Sequence, residues 1–187
     1  MSESIEREKR LARAKRRKGS ELLEFSLVLL PLLAMMTVLV DTAWAIFAES
    51  TLQRAVRIGV RTGVTLTASS LQITASGDLT TAVKGIVQAN SFGLLNGSSG
   101  LAKVKVNYYL PPAPNSASAA TDVSTQANGD AGGNIMKVSV IGFSLNPLMP
   151  RIFSGNAPVD NSPLVISVNS ADIIEPSRNP PPIGTAP

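Results

Sequence analysis

From Phe25 to Val40 the chain carries no charged residue, and extending the run to Ala48 adds only Asp41. At about 1.5 Å per residue, a helix from Leu22 to Ala48 is about 40 Å long, against ~30 Å for the hydrocarbon core of a bilayer. The pattern predicts a membrane-spanning helix over 20–48. Pro31 lies inside it, and a kink near Leu27 is expected rather than a break, because membrane helices re-satisfy the carbonyl that proline frees. Asp41 falls toward the far end, where it is either interfacial and partly hydrated or in contact with a partner's membrane helix.

The helical period continues from Glu49 to Val64. Leu52, Val56, Gly59 and Gly63 share one face, and Ala55, Gly59 and Gly63, four residues apart, form a strip that suits close helix approach. Arg54, Arg57 and Arg61 line another face, to be solvated, held at lipid headgroups or set against an acidic partner. Residues 65–77 turn to Thr, Ser and Ala and read as a loose connection. Asp78 then suits the N-cap of a second helix with Leu79, Val83, Ile86 and Val87 as its apolar stripe, ending around Asn90 to Phe92 before Gly93. Asn96-Gly97 is a turn signal.

Three strands follow. Residues 102–110 alternate through Lys103, Val104, Lys105 and Val106, and Pro111 stops them. Residues 111–134 hold few large apolar side chains and predict a long, mobile loop. In 135–145 the apolar phase switches between Val140 and Ile141, which predicts a bulge near Ile141-Gly142. Asn146 to Pro150 breaks that strand, Leu164 to Asn169 or slightly beyond makes the third, and the Pro-rich segment 176–187 predicts disorder. With no helical crossover between the strands, the sheet is expected to be antiparallel, with Lys103, Lys105 and Lys137 guarding its edges. The fold class is therefore α+β: a long N-terminal helix, a second helix and a small sheet, with 65–175 as one small domain outside the membrane.

Charge adds an orientation. The formal net charge is +4, and residues 1–18 hold eight Lys or Arg against three Glu, so the basic excess lies in the leader 1–19. The positive-inside rule then keeps the N-terminus in the cytoplasm and exports the rest. A nucleic-acid interface is not expected, because no aromatic residues interleave with these basic ones. Cys and His are absent, which excludes disulfides, thiol catalysis, ordinary zinc sites and a Ser-His-Asp triad. There is also no G-x-S-x-G, P-loop or metal-ligand cluster. Neither catalytic residue, metal nor cofactor is expected, and the chain should act by interaction.

The junction of leader and helix carries the most specific pattern. Gly19 closes the basic run, Glu24 follows five residues later, and Phe25 comes next. A glycine before a scissile bond lets the backbone lie extended in a narrow cleft. The amino group freed on Ser20 would be a cation at a helix N-terminus, where the macrodipole disfavours it, and Glu24 of the same or a neighbouring chain can offset it. Glu21 and Glu24 equally suit the first turn of a helix N-capped by Ser20. Two alternatives remain open: an unprocessed single-pass envelope anchor with a ligand-binding domain, and a secreted protein cut at Ala45 in Ala43-Trp44-Ala45. The second is weakened by an apolar run longer than the ~7–15 residues of a cleaved signal.

Gly19 with Glu24-Phe25, Leu30-Pro31-Leu32-Leu33, and Thr51-Leu52-Gln53-Arg54-Ala55 through Gly59-Val60-Arg61 together resemble the TadE-like minor pilins (pseudopilins) of Flp, or tight-adherence, pili. Val138-Ser139-Val140, Phe143, Pro147 to Pro150, Ser170-Ala171 and Glu175 resemble the family's terminal strands; residues 65–134 carry no resemblance, and the leader is longer than usual. The resemblance implies cleavage between Gly19 and Ser20 by a prepilin peptidase. It further implies a bacterial inner-membrane protein that contacts membrane lipid, other pilin or pseudopilin subunits and the Tad inner-membrane machinery during pilus assembly.

Overall fold

The structure, a computed structural model, describes residues 2–68, 70, 77–116, 118–147, 163–176 and 183–184, with side chains from Glu21 onward. Helix α1 runs Ser2–Gly63, α2 Leu79–Ala89 and α3 Gly97–Leu101; the strands are β1 Val104–Leu110, β2 Thr121–Asp122, β3 Ile135–Leu145 and β4 Leu164–Ile173. The backbone divides into two compact units, one holding 1–44 and 147–161 and the other 45–146 and 162–187. In the first unit the described chain is almost entirely helix, and Pro31 sits inside α1 without ending it. Because α1 begins at Ser2, Ser20 is not its N-cap in this uncleaved chain.

The second unit is built on the C-terminal part of α1. Ala48, Leu52, Ala55, Val56, Gly59, Val60, Gly63 and Val64 are buried, whereas Arg54, Arg57 and Arg61 are exposed. This is the one-sided burial that the sequence period dictates. Helix α2 starts where expected: the Asp78 carboxylate accepts from the Thr81 amide at 2.7 Å and from its hydroxyl at 2.8 Å. Leu79, Ala82, Val83 and Val87 of α2 are buried, and Asn90 closes the helix.

The sheet is antiparallel, in the order β2-β1-β3-β4. It has four strands rather than three, because Thr121 and Asp122 pair with Leu110 and Tyr109. Its inner face presents Val104, Val106 and Tyr108 of β1, Met136, Val138 and Val140 of β3, and Ile166 and Val168 of β4 to the core. The register between β3 and β4 shifts between Val140 and Phe143, and Gly142 there has φ of 72°. This is the expected bulge; the positive φ suits glycine, and the Lys103 ammonium donates to the Gly142 carbonyl. Since β3 lies between β1 and β4, Lys137 sits on a central strand and guards no edge.

Residues 111–134 contain more order than their composition suggests. Val123 and Ser124 are buried, the Tyr108 amide donates to the Ser124 hydroxyl at 2.8 Å, and the Ser124 amide donates to Asp122 Oδ1 at 2.9 Å. Side-chain hydrogen bonds do here what apolar burial does elsewhere. The C-terminal tail returns to α2, where Ile183 packs on the core and its carbonyl accepts from the Thr80 amide at 3.4 Å and from the Thr80 hydroxyl. The tail is thus anchored at Ile183. Most of the connection at 65–77, Leu148 to Pro150 and the rest of the tail beyond Pro176 lie outside the described residues.

Candidate functional site: the apolar helix and its basic continuation

Between Leu22 and Phe47, α1 presents a nearly continuous apolar surface. Leu23 is 73 % exposed, Leu27 75 % and Leu39 61 %, and Phe25, Met35, Trp44 and Ile46 are exposed as well. Helices in water hide such residues against a core; this segment displays them on all sides, as a lipid-facing span does. Its hydroxyl groups are consistent with that setting. Ser26 Oγ donates to the Leu22 carbonyl, Thr37 Oγ1 to that of Ala34 and Thr42 Oγ1 to that of Val38, each at 2.8 Å. Each donates its proton to the helix's own backbone, so none of these three hydroxyl hydrogens is left to hydrocarbon. The remaining ionisable residues from Glu21 to Ala48 are Glu21, Glu24 and Asp41; both glutamates are exposed and Asp41 is half-buried.

Gly19 and Ser20 lie on helical backbone, and their side-chain surroundings are not described. Phe25 and Pro31 are both exposed on the apolar segment. Within the second unit, Ala55, Gly59 and Gly63 are taken up by the chain itself. A Cβ on Gly59 would overlap Val87 Cγ2, and one on Gly63 would lie 2.6 Å from Val83 Cγ2 and 2.9 Å from Met136 Sδ. The small-residue strip is therefore where α2 and the sheet close on α1. Arg54, Arg57 and Arg61 stay on the outside, leaving a basic face on the helical turns that follow the apolar segment.

Two polar clusters escaped the sequence reading. In one, Thr80 Oγ1 lies 3.3 Å from the Tyr108 hydroxyl inside the core; burial pushes the phenol well above its ordinary pKa, opposed by the Thr80 hydrogen bond. The other is Asp130, 5 % exposed, whose Oδ2 has no hydrogen-bond partner among the described residues. Burial raises its pKa, with its own backbone amide pulling the other way. No sequence signal marked Thr80, but Asp122-x-Ser124 is a readable side-chain turn that should have flagged the start of this ordered loop. Among the described residues no group of three or more acidic, Cys or His side chains is placed to hold a metal.

Among the described residues one helix is long and apolar enough to cross a membrane, and with the α+β unit that follows it the chain fits a single-pass membrane protein. The family model described as TadE-like protein matches residues 19–61. The match starts at the glycine of the junction and runs through the apolar helix to the last arginine of the basic face. Over these residues the chain is similar to TadE-like proteins. The match does not reach the strands. No curated protein and no solved structure matches the chain.

Proposed function

We propose that the protein is a minor pilin, or pseudopilin, of a tight-adherence pilus assembly system. A prepilin peptidase removes residues 1–19 on the cytoplasmic side of the inner membrane, and the mature chain begins at Ser20. The apolar helix stays in the bilayer as the surface through which other pilin subunits and the Tad inner-membrane machinery are met, while the α+β domain stands outside the cytoplasm. The protein works by contact and not by chemistry.

One observation carries this reading: the TadE-like match opens at Gly19 and covers a helix whose apolar side chains are exposed from Leu22 to Phe47. A cut at Gly19 leaves that surface on the mature protein. A signal-peptidase cut at Ala45 would discard it and would fall at a residue that packs against the domain core. In cells with a prepilin peptidase, the wild-type chain should run smaller than Gly19→Ala by the mass of the leader. Equal sizes would favour the unprocessed anchor.

A further inference from the structure

Strand β4 is one edge of the sheet, and among the described residues it differs from the other edge in how little protects it. On the far side β1 is covered by β2 at Tyr109 and Leu110 and by Ser124 at Tyr108, and it carries Lys105. By contrast β4 runs ten residues, LVISVNSADI, with Asp172 as its one charge and no proline within it. Long edge strands of this kind are templates for further pairing.

The backbone directions on β4 are fixed by its inner partner. Ile174 exchanges both bonds with the β3 side, donating to the Asn134 carbonyl at 2.8 Å and accepting from the Gly133 amide at 2.9 Å. Alternation along an antiparallel strand then turns the amides and carbonyls of Val165, Ser167, Asn169, Ala171 and Ile173 toward the open edge. Consistently, the Ile173 amide is met by the neighbouring Asp172 carboxylate at 2.8 Å and not by β3. The side chains of these five residues are all exposed, and the two largest, Val165 at 58 % and Ile173 at 60 %, sit at opposite ends.

This arrangement is complementary to itself. We infer that β4 pairs antiparallel with β4 of a second copy of this chain, with Asn169 on the two-fold axis, joining the two sheets edge to edge. In this register Val165 lies opposite the second copy's Ile173, Ser167 opposite its Ala171, and Asn169 opposite its Asn169. Every outward-facing backbone group between Val165 and Ile173 gains a partner, and the exposed apolar side chains meet each other. The register also fits between Pro163 and Pro176, which bound the pairing because proline donates no amide. A shift by two residues toward the N-terminus would set Pro163 against Ile173 and lose that bond. The Asp172 carboxylate holds the Ile173 amide until the second copy's Val165 carbonyl replaces it.

The inference does not depend on leader processing, and the absence of cysteine makes it directly testable. Full-length chain bearing Asn169→Cys, in native membranes under mild oxidation, should form a disulfide-linked homodimer. The paired Cα atoms would be about 5.5 Å apart, within the ~4.4–6.8 Å a disulfide spans. Ser167→Cys alone should not crosslink, since two copies would be offset by about 14 Å along the strands. Co-expressed Ser167→Cys and Ala171→Cys chains should crosslink to each other. Dimer formation by Ser167→Cys as readily as by Asn169→Cys would overturn the register. A monomer in every case, or an adduct with a different protein, would overturn pairing between copies.

Discussion

Gly59 lies against Val87 so closely that a side chain on the glycine would overlap Val87 Cγ2. The contact sets how near α1 and α2 can come. Val87 is β-branched and buried and has little freedom to move aside. Gly59→Ala gains about 1 kcal/mol of helix propensity but loses about 1–3 kcal/mol to overpacking. Gly59→Leu lacks room altogether and should be clearly the less stable of the two. Thermal unfolding of full-length variants in detergent should rank wild type above Gly59→Leu, with Gly59→Ala much nearer to wild type. Equal stabilities would mean that α1 and α2 are not in contact there.

The apolar pattern made the architecture legible. The uncharged run, the Asp78 cap and the phase switch at Val140–Ile141 each have one local physical cause, and each element stands where that cause puts it. What stayed hidden depends on distant partners. Nothing local tells that Gly59 and Gly63 face Val83, Val87 and Met136 of the same chain, or that Ile183 returns to Thr80. Strand β2 escaped because two exposed residues held by hydrogen bonds leave no hydrophobic period. At the candidate site, the spacing of Gly19, Glu24 and Phe25 was visible from the start, whereas the basic face was visible only as a period.

Burial raises the Asp130 pKa, so the folded chain holds that proton more tightly than the unfolded one. Its contribution to stability is therefore fully present below the ordinary carboxylate pKa and lost as pH rises through the raised value. Asp130→Asn removes the buried charge, and should raise the melting temperature at pH 7. The advantage over wild type should shrink as pH falls toward about 4. An Asp130→Asn chain less stable than wild type at pH 7 would show that the ionised carboxylate is held by a partner.

Arg54, Arg57 and Arg61 point away from the core. Replacing all three by Gln should leave the melting temperature close to wild type, since exposed substitutions cost within about ±0.5 kcal/mol each. In reconstituted vesicles the same change should reduce crosslinking of residues 54–61 to anionic lipid headgroups, and high salt should shrink the difference. A large loss of stability would place the arginines inside the fold instead.

Glu24 is exposed on the apolar helix, one turn beyond Ser20. Glu24→Ala should insert into membranes as wild type does but crosslink less to pilin subunits, because a carboxylate that offsets a neighbour's amino group is lost. Unaltered crosslinking would assign Glu24 to its own helix terminus.

The central claim is that an intracellular cut leaves the apolar helix on the finished protein. N-terminal sequencing of the mature chain recovered from membranes tests it most directly. The account predicts a start at Ser20; a start at Ile46, or recovery of the protein only in soluble form, would contradict it.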